Sequence, residues 1–427
     1  MIPADVPSGR TDRAAVGAAM KEGRSAEAEE GRPMRASRIV LLVIGVITLV
    51  VAAIWRPVVA PQLTKLPTSL DTSYQFAGTY TGYVNQSTGA RLAAPQNLPL
   101  SIHRQFKAVP AQSTSSELVV KDASTATIGP SKSPSVAQYV LDRSTSKNVN
   151  SPHAYALVPS NTVDRSGSYS LGPPPGVDTA STYPYWVDET GTTTPITYAN
   201  ATRTINGLAV QQWRVNLPAT PMIASMVSAM HLPAAMPFSA FTAQLKAQGS
   251  DLGAALKQLS PSLTTAEKAS LAALAAKLIP LRYSYATHST LLVEPATGMI
   301  VDMLNVVRSY SVRADLGPFA TGLASILAAH PGNPIAAALA ADGKKLVAAP
   351  ALPLYTLTFH QVPASVTDLT GQAGHNATLL SIFQVWIPIG LAVIGVILIG
   401  LAFVGRWRRP EPAAPRPTRP GPQKIGV

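Results

Sequence analysis

Cysteine is absent from the chain, which excludes disulfides, thiolate metal sites and a cysteine nucleophile together. Acidic residues are scarce as well. Asp and Glu number 22 against 34 Lys and Arg, so a chain only 13% charged carries a net +12. That excess forms no Lys/Arg cluster interleaved with aromatics, and nucleic-acid binding is not expected. Catalytic signatures are missing too. There is no G-x-S-x-G elbow and no H-E-x-x-H pair, and the 7 histidines are scattered singly. "ADGKK" at 341–345 ends like a phosphate loop, but Ala338 stands where its first glycine is needed. The expectation is a non-enzyme with no cofactor and no metal.

What is present begins with two apolar runs. "RIVLLVIGVITLVVAAIWRP" covers 38–57, and no charge occurs from Ile382 to Gly405. At about 1.5 Å per residue, roughly 20 such residues cross a bilayer core. Trp55, Trp386 and Trp407 stand at the ends of the runs, where indole rings prefer the headgroup zone. Arg406, Arg408 and Arg409 follow the second run, and Arg32, Arg35 and Arg38 precede or open the first. Basic flanks mark the cytoplasmic side. A cleaved signal peptide competes for the first run, but its long leader and near-span length favour an uncleaved signal anchor.

These features predict a plasma-membrane protein with two spans and both termini cytoplasmic. Its parts are a disordered tail at 1–37, a span at 38–57, an extracytoplasmic domain at 58–381, a span at 382–405 and a basic, Pro-rich tail at 406–427. Gly390, Gly395, Gly400 and Gly405 recur every fifth residue, which rotates them around the helix instead of forming a packing stripe.

The middle reads as α+β: antiparallel strands and hairpins with two helical insertions. Thr, Ser, Tyr and Val with frequent turn signals suggest many short strands over 70–217. Asn206-Gly207 is a two-residue hairpin signal. Pro295 to Gly298 turns strand 281–293 into strand 299–312, and 354–362 is a further strand. Ala/Leu-rich insertions lie near 221–279 and 316–349. In the first, Thr264 or Thr265 caps a helix that places Leu271, Leu274 and Leu278 on one face.

Two residue sets are candidate sites. Met222, Met226, Met230 and Met236 form a Met-rich stripe suited to an irregular core or to an adaptable apolar groove. Asp142, Asp164, Asp188 and Glu189 would make an acidic cluster if the fold brought them together. Asp142-Arg143 and Asp164-Arg165 are adjacent in the chain, and neighbours on a strand point to opposite faces, so neither is read as an ion pair.

"YVLDRSTSKNVN", "YPYWVDETGTTTPITYANATRTINGLAVQQWRV" and "LLVEPATGMIVDM" resemble, in this order, an actinobacterial family of unknown function labelled PorA-type porin. With the two-run layout, the similarity covers most of 38–405. It implies a cell-envelope membrane protein and assigns no residue a role. The layout also resembles the class of lipid scavenger receptors anchored at both ends. The expected function is a double-anchored extracytoplasmic domain that binds a hydrophobic, lipid-like or cell-envelope ligand, with the bilayer and a lipid or envelope polymer as partners. An envelope structural or interaction protein, or a porin-like oligomer, are the alternatives.

Overall fold

The computed structural model describes residues 33–59, 62, 65–85, 91–247 and 249–404. Most of the tail at 1–37 lies outside these residues, as does all of 405–427 with Arg406, Trp407, Arg408 and Arg409.

Helix α1 (Pro33–Ile54) opens the described chain. It is followed by β1 (Asp71–Val84), β2 (Arg91–Ala108), β3 (Glu117–Ile128) and β4 (Ser131–Asp142), joined as successive antiparallel pairs. A long connection holding the short β5 (Tyr155–Ala156) leads to β6 (Tyr183–Val187), β7 (Thr192–Ile205) and β8 (Leu208–Pro221). The first helical insertion contains α2 (Ala224–Ala229), strand β9 (Ala235–Pro237), α3 (Phe238–Ala247), α4 (Leu252–Leu259) and α5 (Thr265–Ala275). Strands β10 (Leu278–Val293) and β11 (Ile300–Ala314) follow. The second insertion is α6 (Gly317–Ala328) and α7 (Pro334–Ala348). Then come β12 (Leu352–Gln361), α8 (Pro363–Ser381) and α9 (Ile387–Val404).

The chain is α+β, and it divides into two compact units. One holds α1 and α9; the other spans Arg56–Trp386. In the larger unit one antiparallel sheet runs in the order β5-β4-β3-β2-β1-β12-β11-β10-β8-β7-β6, with β9 on β10. Its first and last long strands, β1 and β12, are therefore neighbours, from Phe76↔Gln361 to Gly82↔Tyr355.

The two faces of the curled sheet differ. Tyr74, Phe76 and Tyr80 of β1, Phe106 of β2, Tyr310 of β11 and Phe359 of β12 are buried on the concave face. Thr79, Thr81, Ser309, Ser311, Thr356 and Thr358 alternate with such residues on the other face, as the two-residue period of a strand requires. The two edges are stitched together through the β4–β6 connection. Leu141 bridges to Asn148, the Asn148 amide donates to the Ser168 carbonyl at 2.8 Å, and Tyr169 bridges to Tyr185. Arg165, 1% exposed, ties the same seam: it donates to Asp188 at 2.7 Å and to the Gln138 and Tyr155 carbonyls at 3.1 Å each.

Several local expectations meet their physical reasons here. Asn206 and Gly207 adopt φ of +49° and +82° between β7 and β8, the left-handed pair a two-residue hairpin needs. Thr264 caps α5 in a reciprocal box with Glu267. Leu271 and Leu274 pack into the core of the helical insertions with Leu256, Leu259 and Leu323. Leu278 does not: α5 ends at Ala275, so Leu278 begins β10 and stands 62% exposed. Apart from β5, β6 and β9, the strands are also long, not short. β2 has 18 residues and β1 and β8 have 14 each, because the Ser and Thr that read as turns are the outward half of each strand.

Helix α1 begins at Pro33, before the predicted start at 38. The second helical run begins at Pro363 and reaches Val404, 42 residues, of which only the latter part is apolar throughout. Each helix has a widened π turn, Trp55–Val59 and Ile382–Trp386. Pro57 lies within the first and Pro388 just after the second, where a missing N–H breaks the i→i−4 ladder. Within the smaller unit α1 and α9 cross at two glycines. A Cβ on Gly45 would stand 2.7 Å from Ile399 Cγ1, and one on Gly395 would stand 2.8 Å from Leu49 Cγ. The fivefold glycine spacing thus contains one contact glycine on α9, which the absence of a repeating stripe concealed. Exposed large apolar side chains are concentrated on these helices, for example Ile39, Ile47, Val396 and Val404 at 64%, 55%, 61% and 65%.

Candidate functional site

The curled sheet encloses a space with two ends. The strand ends at Asp71, Asp142, Val293 and Gln361 define the entry end, where the chain joins the sheet and leaves it. The other is the insert end, where both helical insertions sit. Three cavities succeed one another between them, all within the unit Arg56–Trp386.

The largest, 730 Å³, lies at the insert end between helices and strands, with Met230, Met236, Phe241, Leu281, Leu354 and Tyr355 in its wall. Its volume falls within the roughly 300–1,000 Å³ of small-molecule sites. A second apolar cavity of 380 Å³ lies at the entry end against Leu66, Tyr74, Phe106, Met299 and Leu379. Between them, inside the curl, is a cavity of 260 Å³ walled by Arg104, Asp122, Arg308, Asp188, Glu189 and Tyr285 among others.

Aromatic layers separate the three. Tyr80, Tyr355, Tyr310 and Tyr285 form a chain of rings with centroid separations of 5.5, 4.5 and 5.0 Å on the insert side. Phe359, Phe76, Tyr74 and Phe106 do the same on the entry side at 5.4, 6.3 and 5.6 Å.

Four of the charges in or against the wall of the middle cavity form two pairs. Arg104 clamps Asp122 through Nε and Nη2 at 3.0 and 2.6 Å, and the Tyr139 hydroxyl donates to the same carboxylate at 3.2 Å. Burial works against the Arg104 charge, but Asp122 outweighs it and holds the guanidinium more basic than usual. Asp188 receives Arg165 and the Trp186 indole at 2.7 and 2.8 Å. Glu189 accepts from the Tyr310 hydroxyl at 3.2 Å. Burial pushes the neighbouring phenols up, Tyr74 to about 12 and Tyr285 and Tyr310 further, so they remain hydrogen-bond donors at any physiological pH.

The sequence candidates are dispersed by the fold. Met230 and Met236 line the large cavity, whereas Met226 is 3% exposed and lines the middle one beside Ala156. Met222 packs between two small clusters. The four do not form one helical stripe, because α2 spans only Ala224–Ala229 and Met236 belongs to β9. Of the acidic set, Asp188 and Glu189 reach the middle cavity. Asp142 instead holds its own turn, accepting from the Ser144 and Thr145 amides at 3.0 and 2.7 Å, and Asp164 accepts from Ser166 at 2.9 Å on the surface. Among the described residues no group of three or more His, Asp or Glu side chains could hold a metal ion. Trp386 stands 64% exposed, and Trp55 is half-buried with a partner of its own. Arg104, Asp122 and Arg308 were not legible as site residues. Their only signal is a charge inside an alternating strand, on the side of the aromatic positions.

No curated protein matches the chain. The sequence profile of the family described as Porin PorA matches residues 38–404. That match covers well over half of the 427 residues, and the chain belongs to the Porin PorA family.

Proposed function

We propose that this protein is anchored in a membrane by α1 and α9 and uses its curled sheet, on the outer side of that membrane, to bind a hydrophobic ligand. The observation that carries the reading is the 730 Å³ cavity, apolar over most of its wall and placed between the helical insertions and the strand ends. Thioethers suit such a site because Met fills irregular apolar space and adapts to different shapes. Support for the anchors comes from two helices with mean hydropathy of 2.6 and 2.8 over their apolar windows. The face of the sheet that carries Thr79, Thr356 and Thr358 suits water, not hydrocarbon.

The test is purification of the full chain in lipid nanodiscs, followed by extraction and mass spectrometry of apolar compounds. A near-stoichiometric compound is expected, reduced tenfold or more in Met236→Trp and Met230→Trp while the thermal unfolding of both variants stays close to wild type. Absence of any such compound, or unchanged amounts in the filled-cavity variants, overturns the reading.

A porin-like role is favoured by the family's description. In this chain a path for solute would run through the interior of the curled sheet, past both aromatic layers.

A further inference from the structure

We infer that the middle cavity is an oxyanion site and that Arg308 is its ligand-binding residue, holding the carboxylate or phosphate of the amphiphile whose apolar part occupies the large cavity. The inference rests on the binding function proposed above and specifies the chemical class of ligand.

Three cations and three anions stand in or against the wall of this cavity. Two pairs are complete: Arg104 with Asp122, and Arg165 with Asp188. Arg308 differs from both other arginines. Among the described residues its side chain makes no hydrogen bond and no ion pair, and its guanidinium stands over the Phe359 ring, 5.6 Å from the centroid. Tyr285 first and Glu189 second favour its charge against the effect of burial, but Glu189 forms no direct pair with it and is already engaged by the Tyr310 hydroxyl. Arg308 is half-buried within the sheet and lines the cavity.

A guanidinium has five N–H donors in a planar fork suited to carboxylate or phosphate. Leaving all of them unmet inside a protein is costly. The Phe359 ring against the guanidinium offers it no hydrogen-bond acceptor atom. Bidentate capture of an oxyanion satisfies the fork, and the 260 Å³ volume accommodates a small headgroup.

The placement of the apolar part follows from the strand. Val312 lines the large cavity and Arg308 the middle one. They are four residue steps apart along the strand, about 13 Å at ~3.3 Å per residue. Tyr310 lies halfway, its ring stacked 4.5 Å from Tyr355. A chain entering from the insert end therefore passes this tyrosine pair before its head reaches Arg308.

The test compares a naturally fluorescent conjugated fatty acid with its methyl ester, titrated into the full chain in nanodiscs and corrected for protein-free nanodiscs. The acid is expected to bind at least tenfold more tightly than the ester. Arg308→Gln is expected to abolish this ratio and leave the ester affinity unchanged, while Arg282→Gln, an exposed control, preserves it. Arg308→Lys keeps the charge without the fork and is expected to retain only part of the preference. Inorganic phosphate distinguishes the two sources of an oxyanion. Displacement of the acid in wild type but not in Arg308→Gln supports the site with a free ion as its occupant, and no displacement supports it with a lipid-borne head. Equal affinity of acid and ester in wild type overturns the inference and leaves the hydrophobic site standing, a result that needs no variant to fold. Saturable binding of neither probe overturns both.

Discussion

Asp302 shows how far one carboxyl can depart from what its surroundings favour. It sits on β11 opposite Leu292, only 8% exposed, and its Oδ1 has no hydrogen-bond partner among the described residues. Burial raises its pKa, against smaller opposing effects from the Met303 amide, His360 and Arg203. Because the folded-state pKa stands above the unfolded one, the unfolded chain releases this proton first. Stability therefore falls as pH rises from the unfolded value through the folded one, and the full cost is present at neutral pH. Asp302→Asn is expected to raise unfolding free energy at pH 7 by roughly 1 kcal/mol, measured by urea titration. The gain should shrink toward zero as the pH drops below the carboxylate range. A constant gain across pH would contradict the assignment. In the chain Asp302 stands between Val301 and Met303, a local alternation that does not show the cover over this part of β11. The Gln361 side chain donates to the Val301 carbonyl at 3.0 Å, and the Leu369 and Ala373 side chains of α8 are fully buried in the same cluster as Val301. Arg165 was opaque for the same reason. It is adjacent to Asp164 in the chain, but its partner Asp188 is 23 residues away and meets it only when the sheet edges close.

At the scale of elements, short-range signals survived and long-range ones did not. The Asn206-Gly207 turn and the Thr264 box are set by neighbouring residues, so the chain displays them directly. Strand length was hidden by Ser and Thr, which serve turns and the outer faces of strands equally well. The crossing of α1 and α9 was hidden because it needs one glycine on each helix and no repeat. Gly45→Val and Gly395→Val are each expected to cost about 1–3 kcal/mol through overpacking, seen as a lower melting temperature in detergent. Gly390→Ala and Gly400→Ala, whose Cβ positions meet nothing within 4 Å, should leave it unchanged. Equal effects at all four positions would mean that the helices do not cross where these glycines lie.

For the whole molecule, the lack of cysteine makes sidedness directly measurable. If both anchors cross the membrane as proposed, Lys132→Cys, on the exposed β3–β4 hairpin, reacts with an impermeant maleimide in intact cells. Ser25→Cys should react only after lysis. The reverse pattern, or protection of both sites, would refute the proposed topology. Fold class was legible from composition and periodicity, and so were the two apolar runs. The cavities were not, since each is bounded by residues from strands far apart in the chain.

The adjacency of β1 and β12 has a bearing on how the protein is made. Phe76 cannot find Gln361 until almost three hundred further residues have left the ribosome. A sheet with its opening and final strands side by side cannot mature progressively during synthesis; its nascent strands wait with an unmated margin exposed. That margin needs shielding until the last strand arrives, and truncation anywhere before residue 361 should yield an insoluble product instead of a smaller domain.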